Sequence, residues 1–144
     1  LLSMIKLLLI LNTIWFLLGF HAFAIRNKIF AKLVVRRGDR DTPVFDVLAE
    51  SGRFLGGFNF AFALLNILLI FNLSTFPTDA QRAILLLVLA VAHGSQFIFN
   101  LPIAIQNLRG EGIWQVLKGT MLLIFVVDFT LMILNLALSI FYYL

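Results

Sequence analysis

The stretch ILLLVLAVAHGSQFIFNL, residues 84–101, decides the class of this protein. At ~1.5 Å of rise per residue, a helix of this length covers ~27 Å, close to the ~30 Å of hydrocarbon in a bilayer. No Asp, Glu, Lys or Arg interrupts it, yet His93, Gln96 and Asn100 lie in its inner half. On a helix these three fall within about 60° of one another. Hydrocarbon gives such groups no partner, so they must face protein, water or a ligand.

Three further runs have the same character, at about residues 6–25, 53–71 and 117–140. Each is long enough to cross a bilayer and too long for a half-membrane segment. Across the 144 residues, 62% are hydrophobic and only 12% charged, too little charge to cover a soluble domain. Sixteen Phe suit lipid contact and close helix packing, and without cysteine there is no disulfide, thiolate metal site or thiol nucleophile. The fold class expected is all-α: a single transmembrane domain over 1–144, an up-and-down bundle of four transmembrane helices. The chain opens on Leu1 rather than Met, which points to residues upstream of it. Ala22-Phe23-Ala24 mimics a signal-peptidase site after an apolar run, but we read the segment as a retained span.

The connections fit this plan. Lys28, Lys32 and Arg36 recur every four residues, with Ile29, Phe30, Leu33 and Val34 largely on the other side. Helix 1 is therefore expected to continue beyond the membrane as a basic amphipathic extension, broken at Gly38-Asp39-Arg40-Asp41. Thr42-Pro43 reads as an N-cap with proline in the first helical position. Asn72, Ser74 and Pro77 mark a turn, and Thr78-Asp79-Ala80-Gln81 has capping-box spacing. Pro102 either ends or kinks the third helix. Residues 107–112 form the last loop, with Trp114 at one interface and Tyr142 and Tyr143 at the other. Short second and third loops make spans 2–3 and 3–4 antiparallel neighbours.

The net charge of +4 does not indicate nucleic acid, because the cations crowd beside a span. Arg26, Lys28, Lys32, Arg36, Arg37 and Arg40 lie in the first loop, with Arg109 and Lys118 at the third. The positive-inside rule puts both loops in the cytoplasm and both termini outside, most simply in a bacterial inner membrane. Lys28, Lys32, Arg36 and Arg37 are the expected contacts for anionic lipid.

Depth along the helices sorts the polar residues. Counted from the cytoplasmic ends, His93 lies ~18 Å deep and Asp128 ~15 Å, nearly level on neighbouring helices. Such a pair spares the membrane a lone carboxylate and can pass on a proton, although a buried hydrogen-bonded pair is the plainer reading. His21 lies only ~6 Å deep, so a bis-histidine haem with His93 does not fit; haem or quinone would come only through a partner subunit. No metal site and no cofactor of its own are predicted, since two separated histidines fall short of a ligand set. Asn59 and Asn66 repeat on one face of span two, and Asp128 and Asn135 on one face of span four. With Gln96 and Asn100 these give polar stripes expected to bury against one another between helices. Gly52, Gly56 and Gly57, followed by Ala61, give a smooth surface for close helix approach. Glu50 and Arg53 are spaced for a local ion pair, and Met121 and Met132 read as core filler.

Arg53-Phe-Leu-Gly-Gly at the head of span two, with four short spans and no large domain, resembles the DoxX-like small membrane proteins. Members of that group are associated with respiratory or redox membrane complexes. The resemblance thus implies an accessory role and carries over no catalytic residue.

Three functions follow as expectations. The first is an accessory or structural subunit packing against other membrane protein subunits in a larger complex. The second is an oligomeric proton-coupled transporter using Asp128 and His93, since four helices rarely enclose a pathway alone. The third is a membrane redox or lipid-handling enzyme, disfavoured because no His-rich box, Ser/His/Asp set or phosphate-binding loop is present.

Overall fold

The computed structural model describes residues 2–144. The described residues form five α-helices and no strand: α1 (Leu2–Phe20), α2 (Lys28–Val34), α3 (Pro43–Asn72), α4 (Asp79–Leu108) and α5 (Gly119–Tyr143). A π turn, His21–Ile25, extends α1. Four segments are long and apolar enough to cross a membrane, Leu2–Ile25, Pro43–Thr75, Asp79–Leu108 and Gly119–Tyr143. This is the all-α, four-span class read from the sequence.

Local chemistry sets the helix starts. Thr42 Oγ1 accepts from the Phe45 amide at 3.4 Å, and Pro43, which lacks an N–H to satisfy, takes the first position of α3. At α4 the Thr78 hydroxyl accepts from the Gln81 amide (3.3 Å) while Gln81 Oε1 accepts from the Thr78 amide (3.2 Å), a complete capping box. The helices overrun the apolar runs. α3 begins ten residues before Arg53, and α4 passes through Pro102 to Leu108 rather than ending there. Pro102 leaves one helix carbonyl without its usual donor but does not stop the helix.

By backbone proximity the chain falls into two compact units, one of residues 9–68 and one of residues 69–144 with the start of α1. In the first unit α1 and α3 run antiparallel. Phe16 stacks on Phe62 (ring centroids 5.2 Å) and Phe20 packs at a tilt against Phe60 (5.1 Å), so numbers rise on one helix as they fall on the other. The extension of helix 1 is present, but as a separate helix. The backbone leaves helical geometry at Arg26 (φ −113°, ψ 61°), whose amide donates to the His21 carbonyl at 2.8 Å. Close approach to α3 explains the break. Gly56 lies against Ala24, and Arg53 Nε donates to the Ala24 carbonyl at 3.1 Å. α2 then packs on the first turns of α3 through a small core of Ala31, Phe45 and Ala49, joined by Val35 and Leu48. Arg40 closes α2 by donating to the Lys32 (2.8 Å) and Val35 (3.1 Å) carbonyls.

Gly52 and Gly56 are thus consumed inside the chain, against Phe30 and Ala24, whereas a Cβ at Gly57 would meet nothing within 4 Å. Gly56→Val should therefore lower stability by about 1–3 kcal/mol through overpacking. Gly57→Val should leave it within about 0.5 kcal/mol, as for a surface site. Denaturant unfolding in detergent micelles separates the two, and equal effects would contradict this packing.

In the second unit α4 and α5 form an antiparallel hairpin. Phe97 packs on Phe125 (4.7 Å) and Phe129 (4.8 Å), and Ser139 Oγ donates to the Ala83 carbonyl at 2.7 Å. The Arg82 guanidinium lies 5.9 Å from the Tyr142 ring centre. Gly94 leaves room for Met132, whose sulfur would lie 3.0 Å from a Cβ placed there.

Candidate functional site

The α4–α5 hairpin brings together the two ionisable groups that lie deepest in the apolar runs. His93 Nδ1 stands 3.6 Å from Asp128 Oδ1, within ion-pair range and longer than a direct hydrogen bond. His93 is fully buried and Asp128 is 3% exposed. The antiparallel register sets them level, and the small Gly94 next to His93 lets α5 approach closely. Each side chain gives the other a polar neighbour at a depth where hydrocarbon offers none. One helical turn along α4 an open, apolar cleft of about 250 Å³ is lined by Phe97, Leu101, Phe125, Val126 and Phe129.

The amides of the expected stripes also bond within their own helices. Asn59, Asn66, Asn100 and Asn135 each donate to the carbonyl four residues earlier on their own helix, all at 2.8 Å. An amide side chain in a helix reaches that carbonyl without a partner helix. Between helices, Asn66 Oδ1 accepts from Asn12 Nδ2 of α1 at 3.3 Å, both residues fully buried. Asn12 is absent from the stripes expected on sequence grounds. The depth count that levels His93 with Asp128 points to it as well, because Asn12 precedes Ile25 by thirteen residues and Asn66 follows Arg53 by thirteen. Asn59 is half-buried against Gly19, Gln96 is half-buried, and Asn100 Oδ1 accepts from Trp114 Nε1 at 3.1 Å.

Asn107 is a second residue that the sequence does not single out. Its Nδ2 donates to the Glu111 and Trp114 carbonyls, both at 2.9 Å. Its Oδ1 accepts from the amides of Val116 (2.7 Å) and Leu117 (3.4 Å). One amide side chain thereby ties down the α4–α5 loop, where Gly110 and Gly112 take positive φ (78° and 108°) that a Cβ would resist.

At the α1–α2 joint, Glu50 accepts from Asn27 Nδ2 (2.8 Å) and pairs with Arg53 Nη1 (3.1 Å). The Arg53-Phe-Leu-Gly-Gly motif is therefore a packing device, its arginine on the Ala24 carbonyl and its first glycine under Ala24. His21 is exposed on the π turn, and Lys28, Lys32, Arg36 and Arg37 are exposed on and after α2. Among the described residues no three His, Cys, Asp or Glu side chains cluster as a metal site. Comparison with family models, with curated proteins and with solved structures finds no match to this chain.

Proposed function

We propose that this small membrane protein is an accessory subunit that packs against other membrane proteins in a larger assembly. The supporting observation is the outer face of α3. Gly57 and Ala61, one turn apart, are exposed beside Phe54 (76% exposed) and Phe58 (67%). Small residues one turn apart let a second backbone approach within van der Waals distance, the main attraction between helices in lipid. The inward glycines, Gly52 and Gly56, are already occupied, so this second notch is left for another helix. The DoxX-like resemblance of the Arg53–Gly57 motif belongs to the same proposal. So does the orientation, a bacterial inner membrane with the 26–40 and 109–118 segments in the cytoplasm and both termini outside.

The test is purification of the full chain from its membrane in mild detergent. Wild type should bring down other membrane polypeptides in fixed proportion, and Gly57→Leu with Ala61→Leu should lose them while the chain stays folded. A lone monomer, or an assembly of this chain alone, would defeat the reading.

A second reading, an oligomeric proton-coupled transporter, is favoured by one observation, the buried approach of His93 and Asp128. On that reading Asp128→Asn abolishes pH-driven flux in proteoliposomes, and unchanged flux removes it.

A further inference from the structure

We propose that α2 and the residues just after it form a docking surface for the headgroups of anionic phospholipids, centred on Lys32, Arg36 and Arg37. Apart from Arg26, exposed at the joint before α2, the structure divides the basic residues of this region into two sets. Lys28 is paired with Asp46 (3.1 Å), Arg40 with the carbonyls that end α2, and Arg53 with Glu50 and the Ala24 carbonyl. These three hold the chain together. The side chains of Lys32, Arg36 and Arg37 are exposed and make no hydrogen bond or ion pair among the described residues.

Position makes the second set a lipid surface. α2 begins three residues after the first span ends at Ile25, within reach of the headgroup layer for a side chain as long as Lys or Arg. Its buried face is spoken for by Ala31 against Phe45 and Ala49. Its exposed side carries an aliphatic as well as a basic group, Ile29 (37% exposed) beside Lys32, and Ile25 on the π turn just before it is 58% exposed. A soluble anion has no use for exposed isoleucine. A membrane interface accepts both, the aliphatic side chains entering the acyl boundary and the cations meeting phosphate. The only acids between residues 26 and 41 are Asp39 and Asp41, against six cations. The field of the segment is therefore positive.

The experiment uses the full chain reconstituted in nanodiscs of phosphatidylcholine and phosphatidylglycerol. The lipid retained after transfer to mild detergent is identified by mass spectrometry. Wild type should retain phosphatidylglycerol in preference to phosphatidylcholine, and about 0.5 M salt during transfer should reduce that preference. Lys32→Gln with Arg36→Gln and Arg37→Gln should cut it at least about tenfold, given up to about fivefold per cation. The charge-preserving set Lys32→Arg, Arg36→Lys and Arg37→Lys should keep most of it. No preference in wild type, or equal retention by the Gln variant, overturns the proposal. So does a Gln variant that keeps its lipid but loses a co-purifying polypeptide, because the surface would then serve an acidic protein segment. The salt dependence of wild type decides the matter even if the Gln variant is poorly produced.

Discussion

Asp128→Leu is expected to destabilise the protein by about 3 kcal/mol, whereas His93→Leu combined with Asp128→Leu should cost much less than the sum of the two single changes. Removing one member of a buried ion pair strands the other, and that stranding costs about 3–5 kcal/mol in soluble proteins. Replacing both by apolar residues of similar volume is often nearly neutral. The membrane pulls the figure down. Polar contacts between helices in lipid average only about 0.6 kcal/mol by double-mutant cycles, because separated helices find other partners. For a pair that is 3% and 0% exposed the expected cost, about 3 kcal/mol, falls between these two limits. Asp128→Asn, which keeps shape and hydrogen-bonding capacity, should cost about 1 kcal/mol. Unfolding in mixed micelles of the four members of the cycle gives the coupling directly, expected at about 1.5–3 kcal/mol. Strict additivity would mean that His93 and Asp128 do not act as a unit.

Asn107→Ala should cost about 2 kcal/mol and loosen the α4–α5 loop selectively. The substitution removes all four side-chain bonds of Asn107 at once and leaves the amide of Val116, a fully buried residue, without its 2.7 Å acceptor. A buried donor left unsatisfied costs about 1–3 kcal/mol. The partly exposed carbonyls of Glu111 and Trp114 can turn to water and add little. Hydrogen exchange provides the specific readout. The Val116 amide should be protected in wild type and exchange at least about tenfold faster in Asn107→Ala, while amides in the middle of α5 keep their protection. Asn107→Asp keeps the acceptor and should retain Val116 protection. If Val116 exchanges alike in all three, the loop is held by something else.

The four spans and two of the helix starts are legible in the sequence because their signals are local. Apolar runs of about 20 residues, Thr42-Pro43 and the Thr78/Gln81 box each act within a few residues of themselves. The closeness of His93 and Asp128 is legible because antiparallel helices convert depth into neighbourhood. Other features depend on backbone atoms, which have no letter in the sequence. The four partners of Asn107 are all main-chain groups, and an asparagine in a glycine-rich loop looks like any turn residue. The break at Arg26 carries neither Gly nor Pro. It arises where the Ala24 segment meets Gly56, and only the packed pair reveals it. The polar stripes are legible only in part for a related reason: helical spacing shows which amides share a face, but each amide can also turn to its own helix's carbonyl.

That last habit bears on how the protein is made. An asparagine that bonds the carbonyl four residues behind it already has one partner when its helix first leaves the translocation channel, which lowers the cost of bringing Asn59 and Asn66 into lipid on α3. The helix bearing Asp128 cannot enter lipid cheaply, since an unpaired Asp at a helix centre costs about 2.5–3.5 kcal/mol on insertion scales. His93 is synthesised thirty-five residues earlier, which at about 5–20 residues per second is a lead of about 2–7 s. During that interval α4 must wait at the channel or lie in lipid with its imidazole unmatched. The α4–α5 hairpin is therefore the pair of spans for which insertion as a unit carries the lower cost.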